Sequence, residues 1–302
     1  MSVSTTFDLA TTARRKTKSK WRGGLLGKDY LWALAFVTPY ILIVLAFVIY
    51  PVAYGLWLGS DINTYRMLLE DPVYPRAVVN TLLYLAIGVN LKLFLALMLS
   101  GFFVRREWWV RILLLIFMLP WAVPAIPGYI SIHWMLNGQW GLINNVIWEL
   151  FQTDGPPWLD EANFAFGSII YAYIWKWTPF WTLIFVAGRL AIPRELYEAA
   201  EVDGATKVTL FTNVTWPLMA NLYIVCTLLS TIWSLGDFNV VRFISGGGPA
   251  LSTHVLATLG IRNAFELGNP SMGMAVVISA MPLLIPLVVL LMRRLSKGEV
   301  QI

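Results

Sequence analysis

Two lysines lie inside long apolar stretches of this sequence, where a charge costs several kcal/mol unless it faces a polar interior or a partner. Lys176 stands between Trp175 and Trp177, and Lys92 follows Asn90 by two residues among plain aliphatics. Asp237 and Asn239 close another apolar run, next to Trp233. The chemistry open to such a set is recognition. A polar solute leaving water needs replacement hydrogen bonds, and ring-bearing solutes stack on aromatic faces. Lys176, Trp175, Trp177, Lys92, Asn90, Asn239 and Asp237 are therefore the candidate lining of a solute path, with Lys176 the first choice. Each admits a plainer reading: a structural ion pair or a snorkelling side chain for the lysines, a cap or interfacial anchor for the others.

Chemistry of other kinds finds little support. Cys226 is the one cysteine and lies in an apolar run, so neither an intrachain disulfide nor a cysteine metal cluster can form. His133, beside Trp134, reads as a hydrogen-bonded terminus, and no metal site is expected. Gly27-Lys28-Asp29 lacks the Ser or Thr of a phosphate-binding loop. The apolar runs hold no carboxylate pair and no nucleophile motif.

The elements that must position these residues follow from composition. Of 302 residues, 58% are hydrophobic and 13% charged, more apolar surface than one soluble core of this length buries. Apolar runs long enough to cross a hydrocarbon core of about 30 Å fall at Leu31 to Tyr50, Val78 to Val104, Ile112 to Ile132, Phe164 to Ala187, Leu218 to Leu235 and Met272 to Met292. The expectation is an all-α, polytopic membrane protein with six transmembrane helices. It divides into a basic tail (1–30), a six-helix domain (31–295) and a short C-terminal tail (296–302). The first run is too long for a cleaved signal peptide.

Basic residues set the topology. The tail carries seven Lys and Arg, and Arg105, Arg106, Arg111, Arg189, Arg194, Lys207, Arg293, Arg294 and Lys297 lie on the same side. Arg66, Arg76, Arg242 and Arg262 lie on the other. This asymmetry places both termini in the cytoplasm and reads the net charge of +5 as an orientation signal, not a nucleic-acid surface. The outer connection around His133 to Asn163 has no Lys or Arg and is expected to form short surface helices. Pro120, Pro124 and Pro127 break the third run, for packing or to line a path.

The cytoplasmic connection at about 189–217 is the most specific segment. Pro193 suits a first helical position, Glu195 and Glu198 suit the positive end of the helix dipole, and Gly204 suits a left-handed terminus. Leu196, Ala199, Ala200 and Val202 give a narrow apolar face, and a second short helix is expected from about Thr206 to Val214. The unit is a compact knob shaped to dock in a groove.

At these residues the chain resembles the permease subunits of binding-protein-dependent ABC importers. Their signature is Glu-Ala-Ala, three residues, Gly, nine residues, then Ile-x-Leu-Pro. This sequence has Glu198-Ala199-Ala200, Gly204 and Val214-Thr215-Trp216-Pro217, departing at Val214 and Trp216. Asn80-Thr81-Leu82, Trp175 to Phe180, Asp237-Phe238-Asn239 and Gly246-Gly247-Gly248-Pro249 resemble the maltose-type carbohydrate branch. The resemblance implies a non-catalytic subunit in a bacterial inner membrane, importing a sugar or related polar solute. It implies no cofactor in this chain, with ATP and Mg on a partner ATPase. The implied partners are a second homologous permease, two ATPase subunits, a periplasmic or lipid-anchored solute-binding protein and membrane lipid, with no nucleic acid. Glu195, Glu198, Ala199, Ala200, Asp203, Gly204 and Pro217 would then form the ATPase-coupling loop. An autonomous secondary transporter is the rival, although the paired halves and intramembrane carboxylates it needs are not evident.

Overall fold

The computed structural model describes residues 28–298; almost all of the expected basic tail and the end of the C-terminal tail lie outside them. Among the described residues every regular element is helical. They divide into two units, one ending at Tyr54 and one starting at Gly55.

The first unit is carried by α1 (Trp32–Leu58), which continues past the boundary. Between Tyr30 and Tyr54 none of its described side chains is buried. A helix apolar on every side is built for immersion in lipid.

The second unit opens with α2 (Ile62–Glu70), whose N-cap Asp61 accepts the Asn63 amide at 3.0 Å. α3 (Val73–Phe103) and α7 (Ala162–Leu190) are the central pair. Their buried residues recur every three or four positions: Ala77, Thr81, Tyr84, Gly88, Lys92, Ala96 and Ser100 on α3, and Ala165, Ile169, Ala172, Tyr173 and Lys176 on α7. Small residues let the two backbones approach, and a methyl added at Gly88 would meet the Tyr173 ring at 3.1 Å.

α4 (Trp108–Ala122) and α5 (Ala125–Met135) meet at 91°. The bend has a local cause, because Pro124 has no amide proton and forces Val123 into an extended conformation at ψ 134°. Of the short helices expected around His133 to Asn163, α6 (Leu142–Phe151) is one. α8 (Arg194–Val202) precedes α9 (Lys207–Gly236), which ends at Asp237. α10 (Asn239–Ile244), α11 (Leu256–Ile261), α12 (Pro270–Ile278) and α13 (Met281–Gly298) complete the chain.

Several expected boundaries change. Six uniform spans are not recovered by length and apolarity: four helices pass, or five when the bent α4 and α5 count as one span. α7 is long enough at 29 residues, but Lys176, Thr178, Pro179 and Thr182 dilute its apolarity. The short helix expected over Thr206 to Val214 is not a separate element; it is the start of α9. Helix α9 passes through a π turn at Phe211–Thr215 directly before Pro217, where the wider turn absorbs the missing proline donor. The last expected span is present as Pro270–Arg294, with a two-residue turn at Ser279 and Ala280 between α12 and α13.

Candidate functional site

Helices α3, α5, α7 and α9 line an open-mouthed cavity of about 310 Å³. Tyr129, Tyr173, Trp177, Trp181 and Trp233 supply aromatic walls, and Lys92, Ser230, Ser234, Asp237 and Asn239 supply polar groups. Two helical stripes explain the arrangement. Tyr173, Trp177 and Trp181 recur every four residues on α7, as do Ser230 and Ser234 on α9, so each set shares a face.

Lys92 is 1% exposed. Its Nζ donates to the Tyr173 hydroxyl and to Ser230 Oγ (2.6 Å), and Tyr173 and Ser234 hydroxyls bond each other. The ammonium also lies 4.3 Å from the Tyr173 ring centre and 5.5 Å from that of Trp181. An ammonium has three N–H donors, so one remains after Tyr173 and Ser230. Asp237, on another wall, accepts the Asn239 amide, the first of α10, at 3.0 Å. The one ion pair closer than 4.0 Å among the described residues joins Arg242 and Glu266, so Lys92 and Asp237 stand apart. The buried Tyr129 hydroxyl has no hydrogen-bond partner in good geometry.

Of the seven expected path residues, Lys92, Trp177, Asp237 and Asn239 come together here. The other three do not. The Lys176 ammonium is held by three main-chain carbonyls at the bend of α4 and α5: Pro120 (2.9 Å), Trp121 (3.2 Å) and Val123. Trp175 lines a separate, mostly apolar crevice of about 760 Å³ bordered by α5, α6 and α7. Asn90 is exposed, and its amide donates back to the Ala86 carbonyl. Tyr129, Tyr173, Trp181, Ser230 and Ser234 were missed, although the four-residue repeats on α7 and α9 are visible in the sequence.

The segment after Asp237 is pinned from α3. Asn80 Nδ2 donates to the carbonyls of Ser252 (2.7 Å) and His254 (2.9 Å), and Thr81 Oγ1 accepts the Leu256 amide at 2.9 Å. Gly246 and Gly247 have φ of 62° and 89°, and a methyl at Gly247 would fall 2.2 Å from the His254 ring. His133 Nδ1 pairs with the Ile244 carbonyl at 2.6 Å, in keeping with a hydrogen-bonded terminus.

At the other end of α9 the expected knob is present as α8 and the turn after it. The Gly204 amide donates to the Glu201 carbonyl and Ala205 to Ala200, with Gly204 at φ 81°. Ile192 is buried, and the Tyr197 hydroxyl bonds Thr215 Oγ1 at 3.0 Å, fixing the knob to the π turn. Glu195, Glu198, Ala199, Asp203 and Gly204 are exposed, as are Leu196 and Val202, the latter at 88%. Nothing lies within 4 Å of a methyl built on Gly204.

The sequence pattern described as the inner membrane component of binding-protein-dependent transport systems matches residues 92–299. A sulfoquinovosyl glycerol transport system permease of Agrobacterium fabrum is 32% identical over 259 residues, covering 80% of this chain and 83% of its own. A trehalose/maltose transport system permease of Thermococcus litoralis is 31% identical over 273 residues, covering 86% and 90%. The fold is similar to a chain in the crystal structure of a bacterial alginate ABC transporter, at TM-score 0.80 and 20% identity, covering 89% of this chain and 96% of that one.

Proposed function

The chain belongs to the family of inner membrane components of binding-protein-dependent transport systems, and from that premise we propose that it is one permease of a sugar-importing ABC transporter. It pairs with a second, homologous permease, receives solute from a binding protein outside, and docks one of two ATPase subunits inside. Both termini lie in the cytoplasm. The hydrolysis of ATP, with Mg, belongs to the ATPase subunits, and this chain performs no covalent chemistry.

The cavity between α3, α5, α7 and α9 carries the reading. Aromatic walls interleaved with hydroxyl, amide, ammonium and carboxylate groups suit a polyhydroxylated ring, which offers apolar faces for stacking and polar edges for hydrogen bonds. Relatives whose names specify a sulfonated glycosyl glycerol and two neutral disaccharides agree only that the solute bears a sugar ring. The knob supplies the other half: an apolar face exposed on a short helix is suited to a groove in a partner. The rival of an autonomous transporter has no observation in its favour.

The test is ATP hydrolysis and solute uptake by the assembled complex in lipid, with and without the binding protein and its solute. Trp233→Ala is expected to lower uptake while the ATPase subunits stay bound. Glu198→Lys and Gly204→Asp are expected to release the ATPase subunits or abolish stimulated hydrolysis while the membrane part stays folded. Normal uptake in the first and normal stimulation in the other two would remove the cavity and the knob, respectively, from this reading.

A further inference from the structure

We propose that the cavity selects for solutes without net charge, and that Asp237 is the residue that turns anionic sugars away. The proposal rests on the reading of the cavity as the solute path. Among its lining residues Lys92 and Asp237 carry the formal charges, one of each sign. They do not form a direct pair; each is held by its own neighbours, Lys92 by Tyr173 and Ser230, and Asp237 by the Asn239 amide. The balance is therefore a property of the cavity as a whole.

Charge among the aromatic and helical walls is less screened than in bulk water, so the two opposite charges offset one another across the cavity. A neutral sugar leaves that balance intact. Its oxygens can accept the remaining Lys92 N–H, and its faces can rest on Trp177 and Trp233. A sugar bearing a carboxylate or sulfonate gains attraction from Lys92 but also meets Asp237, and the occupied cavity is left with one uncompensated negative charge. Lys92 alone would have argued for an anionic cargo; Asp237 reverses the argument.

Asp237→Asn is the informative change, because an asparagine oxygen still accepts the Asn239 amide and keeps the turn that leads into α10. The complex of this chain with its partners, without binding protein, is placed in lipid nanodiscs and titrated with maltose, trehalose and a glucuronate-containing disaccharide. Quenching of tryptophan fluorescence reports occupancy, since Trp177, Trp181 and Trp233 line the cavity. Wild type is expected to bind the neutral sugars at least about tenfold more tightly than the uronate, the scale of one poorly compensated unit charge. Asp237→Asn is expected to erase or invert that ratio, and adding Lys92→Met to it to restore the neutral preference.

Equal binding of neutral and uronate sugars by wild type overturns the proposal, as does a ratio unchanged in Asp237→Asn. If no sugar quenches wild type and Trp233→Ala transports normally, the cavity is not the path and the proposal falls with that reading. A sugar response that Trp233→Ala weakens, with no charge preference, overturns only the charge rule.

Discussion

Replacing Lys176 with methionine separates a binding role from a structural one. The methionine keeps an unbranched apolar stem of similar length, so the change removes the ammonium and little else. Three carbonyls, those of Pro120, Trp121 and Val123, then lose their charged donor at the 91° bend between α4 and α5. Each hydrogen bond to a charged group contributes about 1.5–3 kcal/mol. The variant, however, also avoids burying an ammonium, which offsets several kcal/mol. The expected net loss is about 3–6 kcal/mol, taken as two of the three bonds left uncompensated. Thermal unfolding of the purified complex in lipid should drop by several degrees, and uptake should fall by the same factor for every sugar carried. The solute concentration at half-maximal uptake should stay put, and Lys176→Arg should recover much of the stability. A raised half-saturation concentration with unchanged thermal stability would refute the reasoning, because it would put the ammonium in contact with solute.

Three further outcomes follow from the same geometry. Asn80→Ala orphans the Ser252 and His254 carbonyls and should destabilise the chain by about 2–3 kcal/mol in thermal unfolding, with the loop after α10 becoming the most proteolysis-sensitive site. Arg189 donates to Ser100 Oγ (2.7 Å) and the Leu97 carbonyl (3.1 Å) and lies over the Phe211 ring; Arg189→Lys keeps the charge but loses the fork, and should lower solute moved per ATP hydrolysed more than it lowers hydrolysis. Burial, reinforced by Arg262, holds His254 down to about 4, below its ordinary 6.5. The unfolded chain therefore binds the proton first as pH falls. His254 should withdraw up to about 3 kcal/mol of stability between pH 6.5 and 4, a slope that His254→Gln should flatten in pH-dependent unfolding.

The helical class and the knob were legible because both rest on local chemistry: run length, the Pro193 start and the Gly204 stop. Ranking the lysines required knowing which faces meet. Trp175 and Trp177 flank Lys176 in sequence, yet adjacent residues on a helix point about 100° apart. Trp177 consequently faces the cavity of Lys92, and Trp175 the apolar crevice on another side. Lys92 looked weaker because its neighbours along the chain are aliphatic, whereas its partners Tyr173 and Ser230 come from α7 and α9. The 91° bend was partly legible from Pro124, but its need for a cation at three bared carbonyls was not, since those carbonyls face a different helix. The unbroken start of α9 was hidden by Pro217, which reads as a stop unless a π turn precedes it.

Helix α9 also has a mechanical consequence. It starts beside the knob at Lys207 and reaches the cavity wall at Ser234 and Gly236 as one rod of 30 residues, about 45 Å at 1.5 Å per residue. Pivoting such a rod by about 10° around its middle carries each end sideways by about 4 Å, comparable to the thickness of a sugar ring. Its α-helical hydrogen bonding is interrupted at the π turn at the knob end, so strain entering there meets that turn first, and what passes it arrives at Ser230 and Trp233 as a tilt of the rod.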